Sequence, residues 1–279
     1  MDIPHHLVEQ VRAGKAILFL GAGAAFGASS PTAPKSPPSG KELGKLLSAK
    51  FLGEEIADKP LALIADYCID ASDLRTVQSY IADIFSSFRP SPTHKAVADF
   101  RWAGLITTNY DQIVERAYGD NPKRLQTPIP ILRDIDRVDH ELRGLDAIPF
   151  VKLHGCISLV QDINYPLILT IDQYVTHRAR RENLFSRFAG YASQYSVVYV
   201  GYQIEDPDIR SILSDLNAAD ISRPRHYVVT PKPSPRDTKI WETKRITTLD
   251  GTFDELWKLF RRKFLLAFGA IARPHKDTR

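Results

Sequence analysis

The chain has 279 residues, 43% of them hydrophobic and 25% charged, enough to bury one large core or one core that carries a sizeable insertion. Its formal charge of +4 is the small remainder of 37 basic and 33 acidic residues, so charge gives no reason to expect direct nucleic-acid binding, and the basic clusters Arg178–Arg181 and Arg261–Lys263 read as solvated helix faces. Two cysteines, Cys68 and Cys156, exclude a disulfide framework and a zinc site of four cysteines within the chain. With no basic-then-apolar leader and no apolar run long enough for a bilayer, a reducing, cytoplasmic setting is expected.

In chain order, Ile3–Gly14 carries Leu7, Val8 and Val11 at helical spacing and ends on a glycine. Ala16–Leu20 is a short apolar run that breaks into the turn Gly21-Ala-Gly-Ala24, with Phe26 and Gly27 behind it. A buried strand running into glycines is where an open parallel sheet holds a phosphate-bearing ligand, because the missing side chains let main-chain N–H groups approach a pyrophosphate near a helix N-terminus. Gly27 falls one position late for the full dinucleotide fingerprint, so a nucleotide site and a purely structural turn both stand.

The proline-rich stretch Ser29–Pro38 must be loop, either a lid on that site or a surface connection. Ser39 and Glu42 form a capping box, and apolar residues at helical spacing continue to about Phe88. That is more helix than one crossover needs, so residues 40–90 read as an inserted helical module with Cys68 on its apolar face. Pro90 and Pro92 close it, and 93–100 is expected to be helical, with His94 structural or exposed.

Four further strands, 104–111, 149–155, 196–202 and 226–231, and a last one at 245–249, alternate with helical patterns that include a smaller helical stretch near 173–192 and a closing helix from Thr252. The expectation is a single domain over 1–279: a doubly wound, Rossmann-like parallel α/β sheet of about six strands. Thr108, Asn109 and Asp111 end the second strand. They can face a ligand crevice, cap the next helix, or do both. His154, backed by Gly155, ends the third strand and is read as either structural or catalytic.

Taken together, Gly21-Ala-Gly-Ala24, Thr107–Asp111, Leu153-His-Gly155, Val200-Gly-Tyr202 and Asp206–Arg210, in that order on strand ends, resemble the sirtuin superfamily, and more narrowly its bacterial sirtuin-like branch of anti-phage defence. The resemblance runs from Ala16 to about Leu259. It implies NAD+ as substrate, with Gly21, Ala22 and Gly23 on the pyrophosphate and Ala24 and Phe26 of the same turn also binding the dinucleotide. It further implies Thr108 and Asn109 at the nicotinamide ribose and attacking water, Asp111 at the nicotinamide pocket, and His154 as general base. Gly201, Tyr202, Thr230, Asp250 and Gly251 would flank the adenosine half. The chain departs from deacylating sirtuins in lacking the four zinc-binding cysteines and in carrying Ser-Pro-Thr-Ala-Pro-Lys35 where they have G-I-P-D-F-R. The implied activity is therefore NAD+ hydrolysis to nicotinamide and ADP-ribose without zinc. The alternatives are a protein deacylase or ADP-ribosyltransferase, and a non-catalytic NAD or ADP-ribose binding module. One domain and its insertion take up nearly the whole sequence, so control is expected from a homo-oligomer or from a separate sensor such as a HerA-type ATPase, an Argonaute or a nucleotide-processing protein.

Overall fold

A computed structural model describes residues 2–31, 36–56, 58–176, 180–204, 206–219 and 223–271. Thr32–Lys35 of the expected loop, Arg178 of the basic cluster, and Ala179 lie outside the described residues. Strands β1 (Ala16–Leu20), β2 (Gly104–Thr107), β3 (Thr127–Ile131), β4 (Ala147–Lys152), β5 (Ser196–Val200), β6 (His226–Thr230) and β7 (Ile246–Asp250) form one parallel sheet in the order β3-β4-β2-β1-β5-β6-β7. The helices are α1 (His5–Arg12), α2 (Gly40–Phe51), α3 (Leu61–Ala71), α4 (Leu74–Ser86), α5 (Pro92–Ala96), α6 (Ile113–Gly119), α7 (Ile171–Thr176), α8 (Glu182–Gln194), α9 (Pro207–Ala219), α10 (Pro235–Thr243) and α11 (Phe253–Ile271).

β1 lies at the centre and is buried along its whole length. Successive side chains of a strand point to opposite faces. Ala16, Leu18 and Leu20 accordingly join one core with Leu7 and Val11 of α1 and Trp257 and Phe260 of α11, while Ile17 and Phe19 join the other with Phe185 and Phe188 of α8 and Ile209 and Leu213 of α9. Helices cover both faces, as a doubly wound sheet requires. Phe100, Trp102, Trp257 and Phe260 pack edge-on, tilted or stacked on the first face, so truncating Trp257 to Ala is expected to cost about 3–5 kcal/mol.

The sheet is of the expected parallel, doubly wound type, and the structure refines its details. The sheet has a seventh strand, β3, whose sequence Thr-Pro-Ile-Pro-Ile conceals it. Prolines at alternate positions remove N–H donors, which an edge strand tolerates and a central one does not, and β3 is the edge. The second strand stops at Thr107 and the third at Lys152, so the polar residues that follow belong to loops. The expected helix at 93–100 is a five-residue helix followed by a 3₁₀ turn, and the stretch at 173–192 is two helices, α7 and α8. The helix α10, capped by Ser234, carries no strong apolar stripe and escaped notice.

Between β1 and β2 the chain forms α2, α3 and α4. Ser39 and Glu42 make the reciprocal capping box at 2.7 and 3.3 Å, and Asp73 caps α4. Leu43, Leu47, Ile64, Cys68, Val77, Ile81 and Phe85 of the module share a cluster with Ile113 after β2 and Cys156 and Ile157 after β4. The module is thereby seated over the carboxyl ends of those strands.

Candidate active site

The strand order reverses direction at β1, with β2 on one side and β5 on the other. The loops leaving the carboxyl ends of these strands diverge there and open a crevice, the usual ligand position in such sheets. A cavity of about 890 Å³ occupies it, walled by Ala22, Gly23, Thr108, Asn109, Tyr110, Asp111, His154, Tyr174, Gly201, Tyr202, Asp206 and Thr230 among others.

The loop after β1 is a 3₁₀ turn, Ala22–Ala25, rather than the start of an α-helix. It interlocks with the loop after β5: Gly21 N–H donates to the Val200 carbonyl at 3.0 Å and Gly23 N–H to that of Gly201 at 2.9 Å. A Cβ on Gly21 would lie 2.5 Å from the Gly201 oxygen. Glycine is therefore demanded here by close backbone approach.

Asn109 is held from two sides. Its N–H donates to Thr107 Oγ1 at 2.9 Å, Thr107 itself donates to the Leu20 carbonyl at 2.7 Å, and Asn109 Nδ2 donates to the Gly21 carbonyl at 2.9 Å. Because a carbonyl can only accept, the amide orientation is fixed by chemistry, and its Oδ1 is the atom left to meet a ligand. Asp111 Oδ1 accepts from Ile113 N–H at 2.9 Å, so it starts α6 while also lining the cavity. The N-cap of α6 is Gln112, so Asp111 braces the helix from one residue before the cap. Burial pushes the Asp111 carboxyl above the usual carboxylate range, and nearby Lys152 and the Ile113 N–H only partly offset that.

His154 follows β4. Gly155 behind it has φ of +95°, and a Cβ there would meet the Pro166 oxygen at 3.2 Å. The segment 166–169 thus lies against it, tied by Ile168 N–H to the His154 carbonyl at 3.0 Å, by buried Arg181 to the carbonyls of Leu153 and Pro166, and by Gln78 of α4 to Leu167 N–H at 2.9 Å. Burial drives the Arg181 guanidinium down to about 10. His154 Nε2 lies 3.0 Å from Asp206 Oδ2, with both side chains almost wholly buried, and Tyr174 stands edge-on to the imidazole at 5.5 Å. Burial raises the Tyr174 hydroxyl to about 12, so it is a neutral donor at physiological pH. Burial also works to raise Asp206. The His154 ring and the N–H groups of Ile209 and Asp208 outweigh it and hold the carboxyl below its usual range.

Of the other residues expected from sequence, Ala22, Gly23, Thr108, Gly201, Tyr202 and Thr230 line the cavity. Gly21 stands behind the wall and acts through its carbonyl on Asn109. Ala24 faces a small separate hollow, where its carbonyl is paired with His94 Nε2 at 2.8 Å, and His94 is a buried structural residue. Phe26 forms no part of the wall: the chain leaves the turn extended, Gly27 turns it at φ +88°, and the ring is 74% exposed. Asp250 and Gly251 sit one strand too far out. Asp250 accepts from Lys232 N–H at 2.8 Å and Gly251 N–H donates to Thr230, so they shape the turn behind Thr230 without lining the cavity.

Sequence reading missed the side of the cavity facing the module, where Pro37, Pro38, Leu43, Leu61 and Phe85 form an apolar arm. The described end of the proline-rich loop therefore belongs to the wall. It also missed Asp206 as the neighbour of His154, although Asp206–Arg210 is one of the strings that carry the family resemblance. Among the described residues no three His, Cys, Asp or Glu side chains come together as a metal site would require, and no helix is long and apolar enough to cross a membrane.

Residues 103–249 match the profile of the SIR2-like domain family. Over 234 residues, 83% of this chain, the sequence is 23% identical to a protein of Acinetobacter baumannii named NAD(+) hydrolase ThsA. Over 189 residues, 64% of this chain, it is 24% identical to a protein of that name from Bacillus cereus. These matches span 45% and 37% of the relatives' own lengths, so the chain corresponds to less than half of each. The crystal structure of a SIR2 homolog–NAD complex superposes with a TM-score of 0.54 over 95% of both chains at 15% identity, a likeness of fold.

Proposed function

Because the chain belongs to the SIR2-like domain family, we propose that it hydrolyses NAD+ to nicotinamide and ADP-ribose. The observation that carries this reading is the convergence of three strand-end loops on one cavity: glycines with bare backbone from β1, the oriented amide of Asn109 from β2, and His154 from β4. The names of the two relatives support it.

The chemistry asks little of the protein beyond position and charge. The bond between ribose C1′ and the pyridinium nitrogen breaks with its electron pair going to that nitrogen, so the leaving group departs neutral and needs no general acid. A water oxygen bonds to C1′, and its proton passes to His154 and then to solvent. Asn109 Oδ1 would hold the water or ribose in line, which is worth several kcal/mol when the geometry is preorganised. The Ala22–Gly23 backbone would receive the pyrophosphate, Thr108 the ribose and Asp111 the carboxamide of nicotinamide. Tyr202 and Thr230 would flank the adenosine half.

We place this activity in bacterial anti-phage defence, in the cytoplasm, without zinc or direct nucleic-acid contact, and under the control of self-assembly or a separate sensor protein. A peptide-dependent deacylase has one feature in its favour, the apolar arm of Leu43, Leu61 and Phe85, which could accommodate an acyl chain. Incubating the purified protein with NAD+, with and without an acetylated peptide, separates the readings. Nicotinamide release without peptide is expected. Release only with peptide would establish the deacylase, and binding without turnover would reduce the chain to a sensor of the dinucleotide.

A further inference from the structure

We propose that Asp206 is the positioning residue that fixes the ring orientation and tautomer of His154; this rests on the reading of His154 as the base. The two oxygens of Asp206 have separate tasks. Oδ1 accepts from the N–H groups of Asp208 at 2.9 Å and Ile209 at 3.2 Å, which caps α9, and Oδ2 stands 3.0 Å from His154 Nε2. A carboxylate has no proton to give, so this pairing favours the tautomer with the hydrogen on Nε2 and the lone pair of the neutral ring on Nδ1. When the ring takes up a proton, the same carboxylate sits beside the new charge.

Neighbouring contacts brace this arrangement. The loop from Gly201 to Asp206 contains Ile204, a fully buried β-branched residue at φ +54°, a conformation that persists only where neighbours enforce it. Arg210 of α9 supplies that enforcement, donating from Nε to the Ile204 carbonyl at 2.6 Å while its guanidinium lies over Trp241. Arg210 thereby ties α9 to Ile204, while Asp206 ties the start of the same helix to His154.

The cap makes the idea testable. In Asp206→Asn the amide oxygen must still face the two backbone N–H groups, since an NH2 there would oppose donors with donors. The amide nitrogen then faces His154 and donates to Nε2, which moves the ring hydrogen to Nδ1. Asparagine caps helices as well as aspartate does, so the fold is kept. Asp206→Ser also keeps a cap and removes the group beside the imidazole.

The experiment is ¹⁵N NMR of the histidine rings in wild type and both variants, with NAD+ turnover on the same samples. The expected result is an Nε2–H tautomer in wild type and an Nδ1–H tautomer in Asp206→Asn. Turnover number should fall about 100-fold or more in both variants, with KM changed only a few-fold. An Nδ1–H tautomer in wild type, or turnover within a few-fold of wild type in a folded Asp206→Asn, would overturn the proposal. If wild type does not cleave NAD+ at all, the functional reading fails, while the ring signals still decide whether Asp206 sets the tautomer.

Discussion

Gly23 and Gly201 occupy space that neither could share with a side chain: the Gly23 N–H donates to the Gly201 carbonyl at 2.9 Å, and a Cβ on Gly201 would fall 2.1 Å from the Ala24 nitrogen. This contact brings the loops after β1 and β5 together and so builds the floor of the cavity.

Gly201→Ala is expected to break that floor. Its φ of +63° alone costs an L-residue roughly 1–2 kcal/mol, and relieving the clash requires the two loops to separate. A lowered melting temperature together with lost NAD+ binding by calorimetry is the expected outcome. Unchanged affinity in the variant would mean that the interlock does not form the dinucleotide site.

Asn109→Ala and His154→Ala test the chemistry directly. Each removes a group that faces the cavity from a loop rather than from the core, so folding should persist while turnover falls by roughly 10²- to 10⁴-fold. Activity measured beside circular dichroism melting decides it, and substantial residual turnover in a stable His154→Ala protein would remove the general-base assignment.

How much of this was legible in the sequence depends on what kind of signal each part leaves. β1, β2, β4, β5 and β6 announced themselves because strands buried on both faces are near-continuous apolar runs, as in Val197-Val-Tyr-Val200. β3 left no such signal, since an edge strand with two prolines resembles a loop in composition. Asn109 and His154 were visible because polar residues next to apolar runs mark strand ends. The neighbourhood of His154 and Asp206 was not, because the two are 52 positions apart and meet only through the β1–β5 switch in strand order. Phe26 was misplaced for a local reason: one left-handed glycine, Gly27, decides which way the chain leaves the turn.

Asp206 also makes a prediction about acid stability. Its carboxyl is held below the usual range in the folded state, so it contributes stability that is present above the unfolded value near 3.9 and lost as pH falls through the folded value. The melting-temperature gap between wild type and Asp206→Asn should be constant from about pH 6 to pH 8 and close as pH falls below about 4. A gap that widens in acid would contradict the sign of this coupling.

Asp111 has the opposite sign. Burial raises its carboxyl, so ionisation at neutral pH works against folding, and stability should improve as pH falls through the raised value. Asp111→Asn keeps an oxygen for Ile113 N–H and removes the charge, and is expected to melt higher than wild type at pH 7 while releasing less nicotinamide. A stabilised variant with full activity would show that the carboxylate serves neither substrate nor reaction.

Beneath this site lies Lys152, fully buried at the end of β4, whose ammonium donates to the Asp111 carbonyl and to Glu115 Oε1 at 3.1 Å. Burial alone would lower its affinity for a proton, but Glu115, Cys156 and Asp111 together outweigh burial and raise it. A buried cation compensated in this way is costly to remove singly, because its partners lose their counter-charge while remaining out of water. Lys152→Met should therefore cost about 3–5 kcal/mol, a fall of roughly 5–15 °C in melting temperature, and Lys152→Met with Glu115→Gln should recover part of it. The raised value fixes the pH window as well. The contribution is fully present below the unfolded lysine value near 10.4 and is lost as pH rises through the folded one, so the gap between wild type and variant should hold from pH 6 to 9 and narrow only in alkali. Thermal melts across that range measure it, and a Lys152→Met protein as stable as wild type at neutral pH would show that Asp111 and its loop do not depend on the charge beneath them.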